Sequence, residues 1–207
     1  MRTSICRGVL LASACLLSGT VAWAQHNSGA SKHAPLSVDL AVTYTPERGE
    51  LAPGNCGCFW LQGAGADAAL TFWKGLAIAA SFNSGNASNI APNVSLKKLQ
   101  FTAGPRYSYT AWTGRDAAAN RSLQLFGQGL FGGVHAYDGT FPAPNGVANS
   151  AGSFALEAGG GLNLLLSKSF GVRLLEADYV RTSLPNNFSN SQNDMRLAFG
   201  MTWHIGH

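Results

Sequence analysis

The chain has 207 residues and a mass of 21.7 kDa, room for one domain and not for a second catalytic one. Only 12% of its residues are Asp, Glu, Lys or Arg, beside 46% hydrophobic residues and 25 glycines; an average soluble domain has roughly 25% charge, and so sparse a charge argues against a coiled coil, a disordered tail or a nucleic-acid binder. The formal net charge of +4 falls to +2 once Arg2 and Arg7 are assigned to a removable leader, and at that level it carries no message about partners.

Residues 1–24 read as that leader. Arg2 and Arg7 form a basic start, Val9 to Leu17 an apolar stretch, and Ala22-Trp23-Ala24 a small-residue site before Gln25, the three-part pattern of a secretory signal peptide. Cys15 offers a rival reading as a lipidated cysteine, but Ala12 stands where such a signal normally has Leu. Residues 25–37 then form an N-terminal segment. Cys56 and Cys58, separated by Gly57, are the cysteines left after cleavage. A pair is too few for a disulfide framework. In an exported protein they are expected to form a local disulfide, since a metal site would need more ligands than the weak candidates Glu47 and Glu50.

No stretch after residue 24 is apolar for eighteen residues, so no membrane-spanning helix is expected. The residues alternate instead. In Leu99 to Ala111 the odd positions Leu99, Phe101, Ala103, Pro105, Tyr107 and Tyr109 are apolar, and Gln100, Thr102, Gly104, Arg106, Ser108 and Thr110 lie between them, a period-two strand. Met195 to Gly206 repeats the pattern. With Val38 to Tyr44, Phe59 to Phe72, Leu76 to Asn83, Leu123 to His135, Phe154 to Leu166 and Phe170 to Arg181, eight strands are predicted. Most reach the roughly 9 to 11 residues that cross a bilayer at a tilt.

Connections alternate in length. Thr45 to Cys58, Ser84 to Lys97, Tyr137 to Ser153 and Thr182 to Asp194 are long; Lys74-Gly75, Trp112 to Arg121 and Ser167 to Ser169 are shorter. Threading the strands up and down places Tyr44, Phe59, Trp60, Tyr137, Phe154 and Tyr179 at the loop end and Phe72, Trp73, Tyr107, Tyr109, Trp112, Phe170 and Trp203 at the turn end. Two aromatic girdles, four longer loops and three shorter turns describe an all-β, eight-stranded antiparallel up-and-down transmembrane barrel over residues 38–207. A soluble barrel of the lipocalin kind would need charge on its outer face. Each polar row just described holds a single charge.

These features resemble the small eight-stranded outer-membrane β-barrels of the OmpA-like class of Gram-negative bacteria, over essentially all of residues 25–207. The resemblance rests on the leader, the four hairpins, the segment Val172 to Tyr179 and the alternating last strand. It implies export to the outer membrane, contact with its lipid and lipopolysaccharide, assembly by the barrel-assembly machinery, and no nucleic-acid partner or cofactor. It implies a structural or surface-interaction role toward an external ligand that the residues do not identify. One departure is the terminus: such barrels usually end on an aromatic residue, and this chain ends on His207.

Arg106, Glu157, Arg173, Glu176, Asp178 and Arg196 fall on faces opposite an apolar row and are expected in the lumen as a structural salt-bridge network, with a bulge near Leu174-Leu175 to bring Arg173 and Glu176 to one side. A small-solute pore built on these charges is the first alternative; an eight-stranded interior is just wide enough for side chains to fill. A lipid-modifying, deacylase-type enzyme is the second. It would need a serine activated by histidine, and His135 with Ser150 or Ser153 offers that set. Gly127-Gln128-Gly129-Leu130-Phe131-Gly132 matches a dinucleotide-binding string but lacks the strand-to-helix context.

Overall fold

The computed structural model describes residues 36–50, 58–91, 94–114, 121–143, 146–186 and 190–206. The proposed leader, Cys56 and His207 lie outside these residues.

Nine strand segments follow in chain order: β1 (Ser37–Tyr44), β2 (Glu47–Glu50), β3 (Cys58–Trp73), β4 (Leu76–Ala91), β5 (Val94–Thr113), β6 (Ser122–Ala143), β7 (Gly146–Leu165), β8 (Phe170–Thr182) and β9 (Gln192–Ile205). β1 and β2 both pair with β3 on one side and β9 on the other. They are one stave interrupted at Thr45-Pro46, where proline supplies no amide hydrogen for the ladder. Every other strand pairs antiparallel with its sequence neighbours, and the β1–β9 and β3–β4 pairings close the sheet. The result is an all-β ring of eight antiparallel staves.

Side-chain alternation gives the ring two unlike faces. Outward, Val42, Phe82, Phe101, Tyr107, Phe131, Phe154 and Met201 are exposed; inward, Gln100, Thr102, Arg106, Glu157, Arg173 and Asp178 are buried. An apolar exterior across the middle of the ring, around a charged core, inverts the arrangement of a soluble barrel.

At Lys74-Gly75 the chain reverses in two residues, both with positive φ (40° and 87°). This is the geometry that matches the twist of a two-residue hairpin. A Cβ on Gly75 would stand 2.2 Å from the Ser108 carbonyl oxygen, so the turn needs glycine for space as well as for φ.

The strands run further than the sequence pattern suggests at the loop end. Ser84 to Lys97 and Tyr137 to Ser153, expected as long loops, are instead mostly strand: β4 reaches Ala91, β5 begins at Val94, β6 reaches Ala143 and β7 begins at Gly146. β2 likewise lies within the expected loop from Thr45 to Cys58. The cause is physical. Alternation of apolar and polar residues ends where the apolar exterior ends, whereas backbone pairing continues, as in Lys97↔Tyr137 and Tyr137↔Ser150.

Candidate functional site

Inward parity brings side chains from all eight staves together in the lumen. Arg106, Glu157, Arg173, Glu176, Asp178 and Arg196, taken from the sequence as luminal, are all between 1% and 4% exposed. The ladder slips between Leu162 and Asn163 of β7 and between Arg173 and Glu176 of β8. That bulge at Leu174-Leu175 leaves both leucines outside and turns Arg173 and Glu176 inward together.

Arg173 sits between two carboxylates. Its Nη1 contacts Asp67 and is 2.5 Å from Glu176 Oε2, while its Nε donates to Asn163 Oδ1 at 3.2 Å. Arg106 donates through Nε and Nη2 to Gln128 Oε1, at 2.9 and 2.5 Å. Gln128 Nε2 passes the chain on to Glu176 at 2.7 Å, Asp178 at 3.2 Å and Glu157 at 3.4 Å. Arg196 Nη2 lies 2.5 Å from Glu157 Oε2, which also accepts from Gln100 Nε2 (2.9 Å) and Thr102 Oγ1 (3.2 Å). Toward the loop end, Lys98 Nζ contacts Glu47 and is 3.2 Å from Asp194 Oδ2.

Several of these residues were not foreseen. Glu47, named above as a weak metal candidate in a loop, is a luminal partner of Lys98, because the odd parity of Ala41 and Thr43 continues through Thr45 and Glu47. Asp67, Lys98, Gln100, Gln128, Asn163 and Asp194 also belong to the buried set. Phe126 is the aromatic among them: the guanidinium carbons of Arg106 and Arg173 lie over its ring at 4.7 and 4.8 Å, contacts that gain strength when desolvated.

Glu157, Glu176 and Asp178 bring carboxylate oxygens within 4.8 Å of one another. The position between them is held by Gln128 Nε2, a donor rather than a ligand. Gln128 thus neutralises part of the crowding of the three carboxylates by hydrogen bonding, whereas among the described residues Gln100 Oε1 and both Nη atoms of Arg196 are buried without a hydrogen bond, the latter held by ion pairs alone. Gly159 is part of the shape of this cluster. A Cβ there would lie 2.2 Å from Asp178 Oδ1 and 2.3 Å from the Ala177 carbonyl oxygen. Gly159→Ala is expected to cost about 1–3 kcal/mol, as overpacking of a filled interior does, read as a lower urea midpoint at unchanged m-value.

Above the network the lumen becomes apolar. Val134, Ala136, Phe141, Ala155 and Leu184 form a buried cluster. Gln192 holds Leu184 in place by exchanging hydrogen bonds with its backbone, 3.0 Å from the amide and 2.9 Å to the carbonyl.

The remaining candidates take ordinary structural partners. Gly127 to Gly132 lie within β6, with no helix following. His135 stacks on Tyr137, with ring centroids 6.1 Å apart; Ser153 Oγ donates to the Phe154 carbonyl and accepts from the Ser183 amide, each at 3.2 Å. His204 Nδ1 is 2.6 Å from Asp39 Oδ1 across the β1–β9 ladder at the turn end. Cys58 is exposed, and its expected pairing with Cys56 falls outside the described residues.

No family profile and no curated protein sequence matches the chain. Solved structures do. The structure of Ail, the attachment invasion locus protein of Yersinia pestis, in complex with the heparin analogue sucrose octasulfate, aligns over 83% of this chain and 100% of its own with a TM-score of 0.52 at 17% identity. Neisserial surface protein A aligns over 81% of this chain and 96% of its own with a TM-score of 0.55 at 13% identity. At these identities the likeness is one of fold, and the fold is that of the small eight-stranded outer-membrane β-barrels of the OmpA-like class.

Proposed function

We propose that the chain is a non-catalytic outer-membrane protein of a Gram-negative bacterium, with a lumen filled by side chains and its loop end presented to the exterior for structural support or surface interaction. The observation that carries this reading is the inversion of the barrel's two faces. Phe82, Phe101, Phe131, Phe154 and Met201 point outward, and four cations and six carboxylates point inward. Burying so many charges while exposing aromatics is unfavourable in water and favourable in a bilayer, where outward positions meet hydrocarbon. Trp73, Tyr107, Tyr109 and Trp112 near the turn end, with Tyr44, Trp60 and Tyr179 near the loop end, supply interfacial anchors at both levels.

The filled lumen is supported by the hydrogen-bonded chain from Asp67 to Gln100 and Thr102, which the ion pairs of Arg196 with Glu157 and Glu47 join to Lys98 and Asp194, and by the apolar cap above it. Between Glu47, Lys98, Gln100 and Arg196 the void is about 10 Å3, barely the size that holds one water. Two barrels of like fold, an attachment invasion locus protein and a surface protein, support a role at the cell surface.

Outer-membrane fractionation followed by electrophoresis with and without boiling tests the assignment. The chain is expected in the outer-membrane fraction, with a faster-migrating unboiled band; release by salt alone overturns it. Planar bilayers holding the purified barrel are expected to show no stepwise conductance, and regular openings would restore the small-solute pore.

A further inference from the structure

On one side the barrel wall continues past the apolar belt. β4 to β7 extend toward the loop end as a four-stranded sheet, with Asn86↔Lys97, Lys97↔Tyr137 and Tyr137↔Ser150 in register. Lower on these strands the outward side chains include Phe82, Phe101, Phe131 and Phe154. On the extension the outward residues change character. A groove of about 460 Å3 opens there, lined from β4 and β5 by Asn86, Ser88, Ser95 and Lys97, and from β6 and β7 by Asp138, Gly139, Thr140 and Asn149.

Two irregularities in the ladder frame this groove. The β4–β5 register shifts between Ala87 and Ala91, and the β6–β7 register shifts between Tyr137 and Phe141. Within the second shift Asp138 adopts φ of 59°, a left-handed conformation uncommon outside glycine. By simple alternation Asp138 would follow outward Tyr137 into the interior. The left-handed turn brings its carboxylate out instead, 2.7 Å from Lys97 Nζ, and that nitrogen also lies 5.7 Å from the Tyr137 ring centre. An exposed ion pair of this kind adds little stability, so the strained backbone is not explained by the salt bridge alone. Strain of this sort gathers at ligand sites.

The chemistry of the lining narrows the ligand. Lys97 and Asp138 cancel in charge, so an anion entering the groove would meet a carboxylate as well as an ammonium. No aromatic or large aliphatic side chain contributes to the lining, which gives an apolar ligand no area to bury. What the groove offers is hydrogen bonding in both senses: two amides, three hydroxyls, one carboxylate and one ammonium. The side chains of Asn86, Ser88, Ser95, Thr140 and Asn149 make no hydrogen bond among the described residues. Paired donors and acceptors of this kind match the adjacent hydroxyls of a sugar ring.

We propose that this groove binds a neutral saccharide, with Asp138 accepting from ring hydroxyls, Lys97 donating to them, and Asn86 and Asn149 completing the contacts from opposite walls. The proposal rests on the outer-membrane reading for its orientation: the groove then faces sideways just above the lipid surface. Two sources supply such a ligand there, the uncharged sugars of an outer-leaflet glycolipid and a glycan arriving from outside the cell.

Saturation-transfer NMR on the full chain in phospholipid nanodiscs, free of sugar detergents, tests this. One arm uses neutral gluco-, galacto- and manno-oligosaccharides; the other uses the neutral hexose portion of the lipopolysaccharide core, free of phosphate and of acidic sugars. Transfer to at least one probe is expected, with affinity falling about tenfold or more in Asp138→Ala and in Asn149→Leu and unchanged in Lys168→Ala at the opposite end of the barrel. Response in the second arm alone assigns the groove to the cell's own glycolipid, and response in the first alone to an external glycan; either supports the proposal. No transfer in either arm overturns it, as does transfer that Asp138→Ala and Asn149→Leu leave intact while both variants keep the heat-modifiable band. Because the nanodisc assay requires no cellular address, failed binding beside correct fractionation rejects the groove and leaves the outer-membrane reading standing.

Discussion

Replacing Arg173 with alanine is expected to lower the unfolding free energy of the barrel by about 3–5 kcal/mol, the range found when one member of a buried ion pair is removed. Arg173 is only 2% exposed. Its loss would leave the Asp67 and Glu176 carboxylates facing each other without their shared cation, and would strip Asn163 Oδ1 and the Phe126 ring of a partner. The penalty comes from the stranded carboxylates more than from the lost attraction. Arg173→Ala combined with Asp67→Asn and Glu176→Gln should therefore recover a large part of the loss, because neutral amides cost less to bury than unpaired charges. Arg173→Lys should fall between, keeping the charge but losing the planar fork that spans Asn163, Asp67 and Glu176. Reversible urea unfolding in phospholipid vesicles measures all three. A loss below about 1 kcal/mol in Arg173→Ala would mean that water reaches these carboxylates, and the filled-lumen reading would fail with it. Bilayer recordings on the same variant separate the two roles of the network: a drop in stability without new conductance assigns it to holding the wall together.

How much of this was legible in the sequence depended on contrast between adjacent residues. Arg106 stands out because Pro105 and Tyr107 flank it, and Arg196 because Met195 and Leu197 do; parity alone sends both inward. The bulge in β8 could be deduced because Arg173 and Glu176 sit an odd number apart in an otherwise regular strand, and only an extra residue reconciles their faces. Asp67 offered no such contrast. It lies in Gly63-Ala64-Gly65-Ala66-Asp67-Ala68-Ala69, where both faces are small and neither announces itself as lipid-facing. Glu47 was hidden by the break at Thr45-Pro46, which reads as a strand end although the stave resumes. Lys98 and Asp194 were hidden by the end of alternation, since pairing continues where apolar residues stop. Phe126 was hidden for the opposite reason: an aromatic in a barrel strand reads as lipid-facing, and only the positions of Arg106 and Arg173 over its ring explain an inward one. The groove on the β4–β7 extension was out of reach for a related reason. It depends on the left-handed φ of Asp138; the Asp138-Gly139 dipeptide announces a turn there, but not that β6 continues past it to Ala143.

The sharpest test of the lipid-facing exterior is a charge placed on it. Phe131 is 58% exposed and pairs with Ala103 on one side and Leu156 on the other. It lies on β6 midway between outward Leu125, opposite Tyr109 near the turn end, and Tyr137, opposite Lys97 near the loop end. Phe131→Arg is expected to destabilise the barrel by about 2–4 kcal/mol, the cost of a guanidinium on the lipid face near the bilayer midplane, whereas Tyr109→Arg near an interface should cost about 0–1 kcal/mol. Thr140→Arg, exposed on the extension above the belt, should be neutral within about 0.5 kcal/mol, as surface changes in water are. Each value is read from urea unfolding in vesicles of fixed lipid composition. The gradient matters more than any one figure, because a water-facing exterior has no depth. If the face met water, a more than half-exposed phenylalanine could be exchanged for arginine at little cost, and the three substitutions would be indistinguishable. A cost that peaks at Phe131 and fades toward both ends can arise only where the dielectric surroundings change along the strand. The same gradient accounts for the charge distribution across the belt, where the outer surface is bare of charge and carboxylates and guanidinia turn into a lumen that must satisfy them internally.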